Sequence, residues 1–171
     1  MKTEETPAKL TYRDWLAAVP VEITGDSLWK MEAYRLSLFA GDVAWRDATK
    51  LSADFRTRSL SDQLYRAVGS LAANISEGYS RSSGRDRARF YEYALGSARE
   101  ARGWYYEGRH VLTDEVALHR LRLLTEVICL LLTMVPHNRA LTLKEEAAEY
   151  GIESSEQVSY STSLLSPAVP F

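Results

Sequence analysis

Between Ser59 and Gly78 the apolar residues Leu60, Leu64, Val68, Leu71 and Ile75 recur every three or four positions. That period puts them on one side of an α-helix and is incompatible with the strict alternation of a half-buried strand. The same spacing appears three more times along the chain, and strand alternation appears nowhere. A chain patterned in this way buries its stripes by packing helix on helix.

Start and stop signals divide the pattern. Thr11 with Asp14 three residues on forms a capping box for a short leading helix over 11–18, which Pro20 follows. A first long helix is expected to begin after Asp26 or Ser27, to place Trp29, Ala33, Leu36, Ala40 and Val43 on one face, and to fade near Ala53. The second starts near Ser59 and ends at Gly78, read as the left-handed residue that closes many helices. Ser83 with Asp86 opens a third helix whose predicted seam is Phe90, Ala94, Ser97, Ala101, Trp104 and Val111. Its interior Gly96, Gly103 and Gly108 each cost roughly 1 kcal/mol relative to alanine, which points to close helix packing. Thr113 caps the fourth helix, apolar on nearly every side from Val127 to Val135 and expected to stop at Pro136. Such all-round apolarity predicts a second buried face, supplied by another subunit or by the chain's own extensions. Thr142 and Glu145 suggest a further short helix over 141–151. The stretch 154–171 is Ser-rich and without periodicity.

The expected fold is all-α: an up-down antiparallel four-helix bundle over 26–139, with an N-terminal extension over 1–25 and an acidic, then Ser-rich, tail over 140–171. At 171 residues and 46% apolar side chains the chain can fill one core. The net charge of -2 conceals an uneven distribution. Residues 56–109 carry ten Arg against six acids, whereas residues 141–171 carry five Glu against one Lys. A basic middle is therefore masked by an acidic tail.

The single cysteine, Cys129, excludes an internal disulfide framework and lies in an apolar run, where a buried thiol is expected. The polar N-terminus lacks the apolar core of a signal peptide, and the longest apolar run is about half of what crosses a bilayer. The expectation is a soluble cytoplasmic protein without membrane contact.

Two spaced motifs stand on either side of the break between the second and third helices. One is Gln63-x-x-Arg66-Ala67-x-x-Ser70-x-x-x-Asn74-Ile75-x-Glu77-Gly78, the other Ala94-x-Gly96-Ser97-x-x-Glu100. Asn74 and Glu77 are one helical turn apart, and a buried Arg-to-Glu network involving Arg66 could fix how neighbouring helices meet. Between the motifs lie Arg81, Arg85, Arg87 and Arg89. They stand at a helix start, where free amides and the dipole favour anions and guanidinium groups match phosphate geometry. A solvated mixed-charge face is the alternative, since Asp86 and Glu92 sit among them. Tyr79 and Tyr93 are the aromatics expected to be exposed there and available for stacking on bases.

With Leu28-Trp29-Lys30 at the head of the first long helix, these motifs resemble the four-helix-bundle family of 23S rRNA intervening sequence proteins, over about residues 28–139. The resemblance implies an up-down bundle assembled as a ring-like homopentamer. It also implies kinship with accessory variability proteins of diversity-generating retroelements, basic barrels that bind RNA or DNA and a reverse transcriptase. Ala72 stands where the family usually has proline.

The functional expectation is a non-catalytic homo-oligomeric adaptor. It would bind nucleic acid through Arg81, Arg85, Arg87, Arg89 and Tyr79, and could partner a nucleic-acid enzyme such as a reverse transcriptase. Gln63, Arg66, Ser70, Asn74, Glu77, Gly78, Gly96, Ser97 and Glu100 would hold the bundle together. A purely protein-binding scaffold is the alternative. No cofactor is expected. Glu107 and His110 have the carboxylate–imidazole spacing of di-iron bundles, but Glu115 and His119 are four apart rather than three, and Gly108 and Arg109 make a poor metal pocket.

Overall fold

A computed structural model describes residues 11–149, with side chains over 11–141. Helix α1 (Tyr12–Ala18) and the single turn α2 (Val21–Thr24) lead into a 3-10 turn, Ser27–Lys30. Four long helices follow: α3 (Glu32–Ala53), α4 (Arg58–Tyr79), α5 (Gly84–Gly108) and α6 (Asp114–Glu149). Each packs on the next through a short connection, and α6 returns to α3, closing an antiparallel four-helix bundle. The described residues contain no strand.

The capping signals act where the sequence places them. Thr11 Oγ1 accepts from Asp14 N at 3.1 Å while Asp14 takes Thr11 N, completing the box on α1. Ser83 Oγ accepts from Asp86 N at 3.1 Å, and Thr113 Oγ1 from Val116 N at 3.3 Å. Asp26 caps the 3-10 turn instead of the first long helix, so Trp29 precedes α3 and the helix begins only after the extended Met31.

The core is built from Leu36, Phe39 and Val43 of α3, Leu64, Leu71 and Ile75 of α4, and Leu124, Val127 and Leu131 of α6. On α5 the buried seam differs from the expected one. Ala88, Tyr91, Ala94, Ala98, Ala101, Tyr105 and Gly108 face inward, while Phe90, Ser97 and Trp104 stand at the boundary. Small residues let α5 lie close to its neighbours, and Tyr105 is buried because its hydroxyl donates to Asp47 Oδ2 at 2.9 Å.

Glycines explain part of that closeness. Gly78 is helical and carries no left-handed backbone, contrary to expectation. A Cβ there would stand 2.7 Å from Tyr91 Cε1, so glycine is required by the contact of α4 with α5. Gly108 similarly meets Leu51 at 3.0 Å. Gly96 and Gly103 face open space, and the packing reason expected for them does not hold.

Helix α6 does not stop at Pro136, and residues 141–149, expected to form a separate short helix, continue it; the rest of the tail lies outside the described residues. Proline removes one backbone donor and leaves the Leu132 carbonyl without its helical partner. The helix persists because Leu131, Val135 and Asn138 are buried around the break and Arg139 pairs with Glu92 of α5. Cys129, expected inside, is exposed on the outer side of α6.

Across the α3–α6 seam a polar cluster replaces apolar packing. Arg120 Nε donates to Asp47 Oδ2 at 2.7 Å and Nη2 to Oδ1 at 3.3 Å, with both side chains almost wholly buried. Arg120 Nη1 donates to His119 Nδ1 at 2.8 Å. Burial, reinforced by the Arg120 charge, pulls His119 down to about 4. Helix α1 docks nearby: Trp15 packs on Trp29 and Phe39 and donates its indole N–H to Asp42, while Tyr12 lies near Arg35, Glu32 and Glu126. Residues 11–25 of the N-terminal extension are thus part of the described fold.

Candidate functional site

The turn between α4 and α5 is held by its own backbone. Ser80 N donates to Ser76 O and Arg81 N to Gly78 O, ending α4, before Ser83 caps α5. Four arginines project from this short stretch in four different environments. Arg81 pairs with Glu77 one turn back and lies 4.8 Å from the centre of the Phe90 ring. Arg89 stands 5.8 Å from the Phe90 ring and 5.8 Å from that of Tyr93. Phe90 therefore carries two guanidinium groups and meets Tyr93 edge to face at 5.9 Å. Arg87 reaches Ser82 O at 3.4 Å, and its buried Nε has no hydrogen-bond partner among the described residues. Arg85 is exposed, and among the described residues no hydrogen bond or ion pair holds it.

Tyr79 is 39% exposed and donates its hydroxyl to Ser27 Oγ at 2.9 Å, joining the end of α4 to the 3-10 turn before α3. Tyr93 is 50% exposed. The edge thus combines cations with accessible rings, the two features that single-stranded nucleic acids use. Asp86 and Glu92 remain within it. Asp86 is occupied by Ser83, and Glu92 by Arg139.

The motif residues are arranged differently from the expected buried network. Positions 63, 66, 70, 74, 77 and 78 share one side of α4, of which only Gly78 is buried, against Tyr91 of α5. Yet Arg66 is exposed and bonded within its own helix to Gln63 Oε1, at 3.0 Å, and to Asp62, at 3.5 Å. Asn74 Nδ2 donates to Ser70 O at 2.8 Å, and Ser97 Oγ to Tyr93 O at 3.1 Å. Glu100 accepts from Trp104 Nε1 at 3.3 Å. None of these bonds crosses between helices. The buried ion pair between helices is Asp47–Arg120, which the motifs did not include; its signal was an acid on the inner face of α3 and an arginine on that of α6.

Nothing in this geometry resembles a catalytic constellation. Among the described residues no group of three His, Cys, Asp or Glu side chains could hold a metal ion, and no helix is long and apolar enough to cross a membrane. The architecture is that of a small helical bundle with a basic and aromatic rim. The chain belongs to the 23S rRNA-intervening sequence protein family, whose model matches residues 30–132. That match covers the four-helix bundle apart from the C-terminal part of α6. No curated protein and no solved structure matches the chain.

Proposed function

We propose that the chain is a non-catalytic, homo-oligomeric adaptor that binds structured RNA, or an RNA/DNA element, through the α4–α5 edge. The observation that carries this reading is the pair Arg81 and Arg89 over the Phe90 ring, with Arg85 and Arg87 on the same turn and Tyr79 and Tyr93 exposed beside them. Phosphates would be met by Arg85 and the start of α5, and unpaired bases by the exposed rings. Membership of the rRNA-linked family supports RNA as the ligand class. Repetition of the edge around an oligomer would cluster charges that one copy holds sparsely, and a reverse transcriptase or other nucleic-acid enzyme is the protein partner that this role accommodates.

A gel-shift titration of a structured RNA against salt tests the reading. Binding at low salt should weaken linearly in a double-logarithmic plot, and Arg85→Glu with Arg89→Glu should lower the slope by roughly one for each phosphate no longer met. Absence of binding at low salt, or a slope indifferent to both substitutions, would refute it. The second reading, a protein-binding scaffold without nucleic-acid contact, is favoured by exposed Trp45 and Tyr65 on another face.

A further inference from the structure

Arg139 of α6 pairs with Glu92 of α5, and this contact fixes the register of two antiparallel helices. Gly84, where α5 begins, lies eight residues before Glu92, and Glu149 lies ten residues beyond Arg139. Both helices rise by about 1.5 Å per residue, so the remainder of α6 runs the whole way along the start of α5. Positions 145 and 146 come about level with Asp86 and Arg85, and position 149 reaches the turn at Ser82. Leu141 is still partly buried, so α6 lies against the bundle as it enters this stretch.

The two stretches carry opposite charge. From position 140 to 149, α6 holds Glu145, Glu146 and Glu149 against Lys144. Position 146 is about two turns beyond Arg139 and therefore on the side of α6 that meets α5, position 149 follows three residues later, and position 144 falls on the opposite side. On α5, Arg85, Arg87 and Arg89 stand against Asp86 alone. Among the described residues no carboxylate pairs with any of these three, whereas Arg81 has Glu77 and Arg139 has Glu92. Neighbouring helices of a bundle are about 8–10 Å apart, within about one Debye length at 0.1 M salt, so the two sets of charges act on each other.

We infer that the acidic end of α6 is a built-in competitor for the anion site of α5: its glutamates hold the field of Arg85, Arg87 and Arg89 until phosphates displace them. The inference rests on the RNA reading of the α4–α5 edge and adds the regulation of that edge. Carboxylates tethered to the same molecule act at a high effective concentration. An isolated phosphate therefore competes poorly, while a structured RNA brings several phosphates to the edge at once and displaces them together. This end of α6 lies beyond residue 132, where the match to the family model stops, so the device is an addition to the matched bundle.

A gel shift of the full chain with a structured RNA tests the inference. Glu145→Gln, Glu146→Gln and Glu149→Gln together remove the charge and keep side-chain length and helix propensity. At low salt this triple variant should bind RNA roughly tenfold more tightly than the wild type, as three weak surface pairs allow, and the gain should shrink as salt rises. A control triple, Glu107→Gln, Asp114→Asn and Glu115→Gln, removes the same charge at the opposite end of the bundle. That end is several Debye lengths away, so the control should gain less than about twofold. Both triples should keep the wild-type helical circular dichroism. Should the first lose it, Glu146→Gln alone takes its place and should give part of the gain. No gain from the first triple, or equal gains from the two, would overturn the inference and leave the RNA reading standing. Absence of RNA binding by the wild type and the first triple alike would overturn both.

Discussion

Asp47 of α3 and Arg120 of α6 form a buried, two-bond ion pair, with Nε to Oδ2 at 2.7 Å and Nη2 to Oδ1 at 3.3 Å. Tyr105 of α5 joins it through Asp47, so three helices meet at one carboxylate. Burial and the Asp47 charge push the Tyr105 hydroxyl well above its ordinary range, which keeps it a neutral donor. Breaking one side of such a pair strands the other charge. Asp47→Ala is therefore expected to destabilise the bundle by about 3–5 kcal/mol, whereas Asp47→Leu combined with Arg120→Met should recover most of that loss. Urea unfolding of the single and double variants measures both.

His119 imposes a pH dependence. Its folded value of about 4 lies below the ordinary 6.5, first because of burial and then because of Arg120. The unfolded chain thus takes up a proton that the folded chain refuses, and stability is complete above about pH 6.5 and falls as pH drops toward 4. The full shift would correspond to about 3 kcal/mol, but solvent reaches the half-buried ring, and a loss of about 1–2 kcal/mol is expected. His119→Gln should flatten the denaturation midpoint over that pH range.

Gly78 and Gly96 should respond to alanine in opposite directions. At Gly78 the added methyl meets the Tyr91 ring at 2.7 Å and Phe90 Cβ at 3.1 Å, and overpacking of this kind costs roughly 1–3 kcal/mol. At Gly96 nothing lies within 4 Å, so alanine is expected to raise stability by up to about 1 kcal/mol through helix propensity. Thermal melts of Gly78→Ala and Gly96→Ala separate the two effects.

Trp15 attaches α1 to the bundle by packing and by one hydrogen bond. Trp15→Ala should cost about 3 kcal/mol and remove near-ultraviolet circular dichroism from the Trp15, Trp29 and Phe39 cluster. Trp15→Phe keeps the ring and loses only the bond to Asp42, so its cost should be nearer 1 kcal/mol.

Much of the bundle was legible because local signals set it. Thr11, Ser83 and Thr113 announce helix starts, and each caps the helix that follows it. Features decided by distant partners were not. The size of Phe90 and Trp104 suggested the wrong seam for α5, since the choice rests on Gly78 making room for Tyr91 and on Asp47 receiving Tyr105. Pro136 looked like an end because its lost hydrogen bond is local, while the burial of Val135 and Asn138 that carries α6 past it is not. At the candidate site the arginines and Tyr79 could be placed by spacing. The approach of Arg81 and Arg89 to Phe90 could not, because it depends on how the turn folds back onto α5.

Cys129 is the single thiol of the chain and stands on the outside of α6. With no second cysteine to meet, it cannot close a loop within the molecule, so any disulfide made by the chain with itself joins two separate copies through their α6 helices. Such a covalent pair would tie two α6 helices together. Redox state thereby decides whether a preparation can hold covalently joined copies.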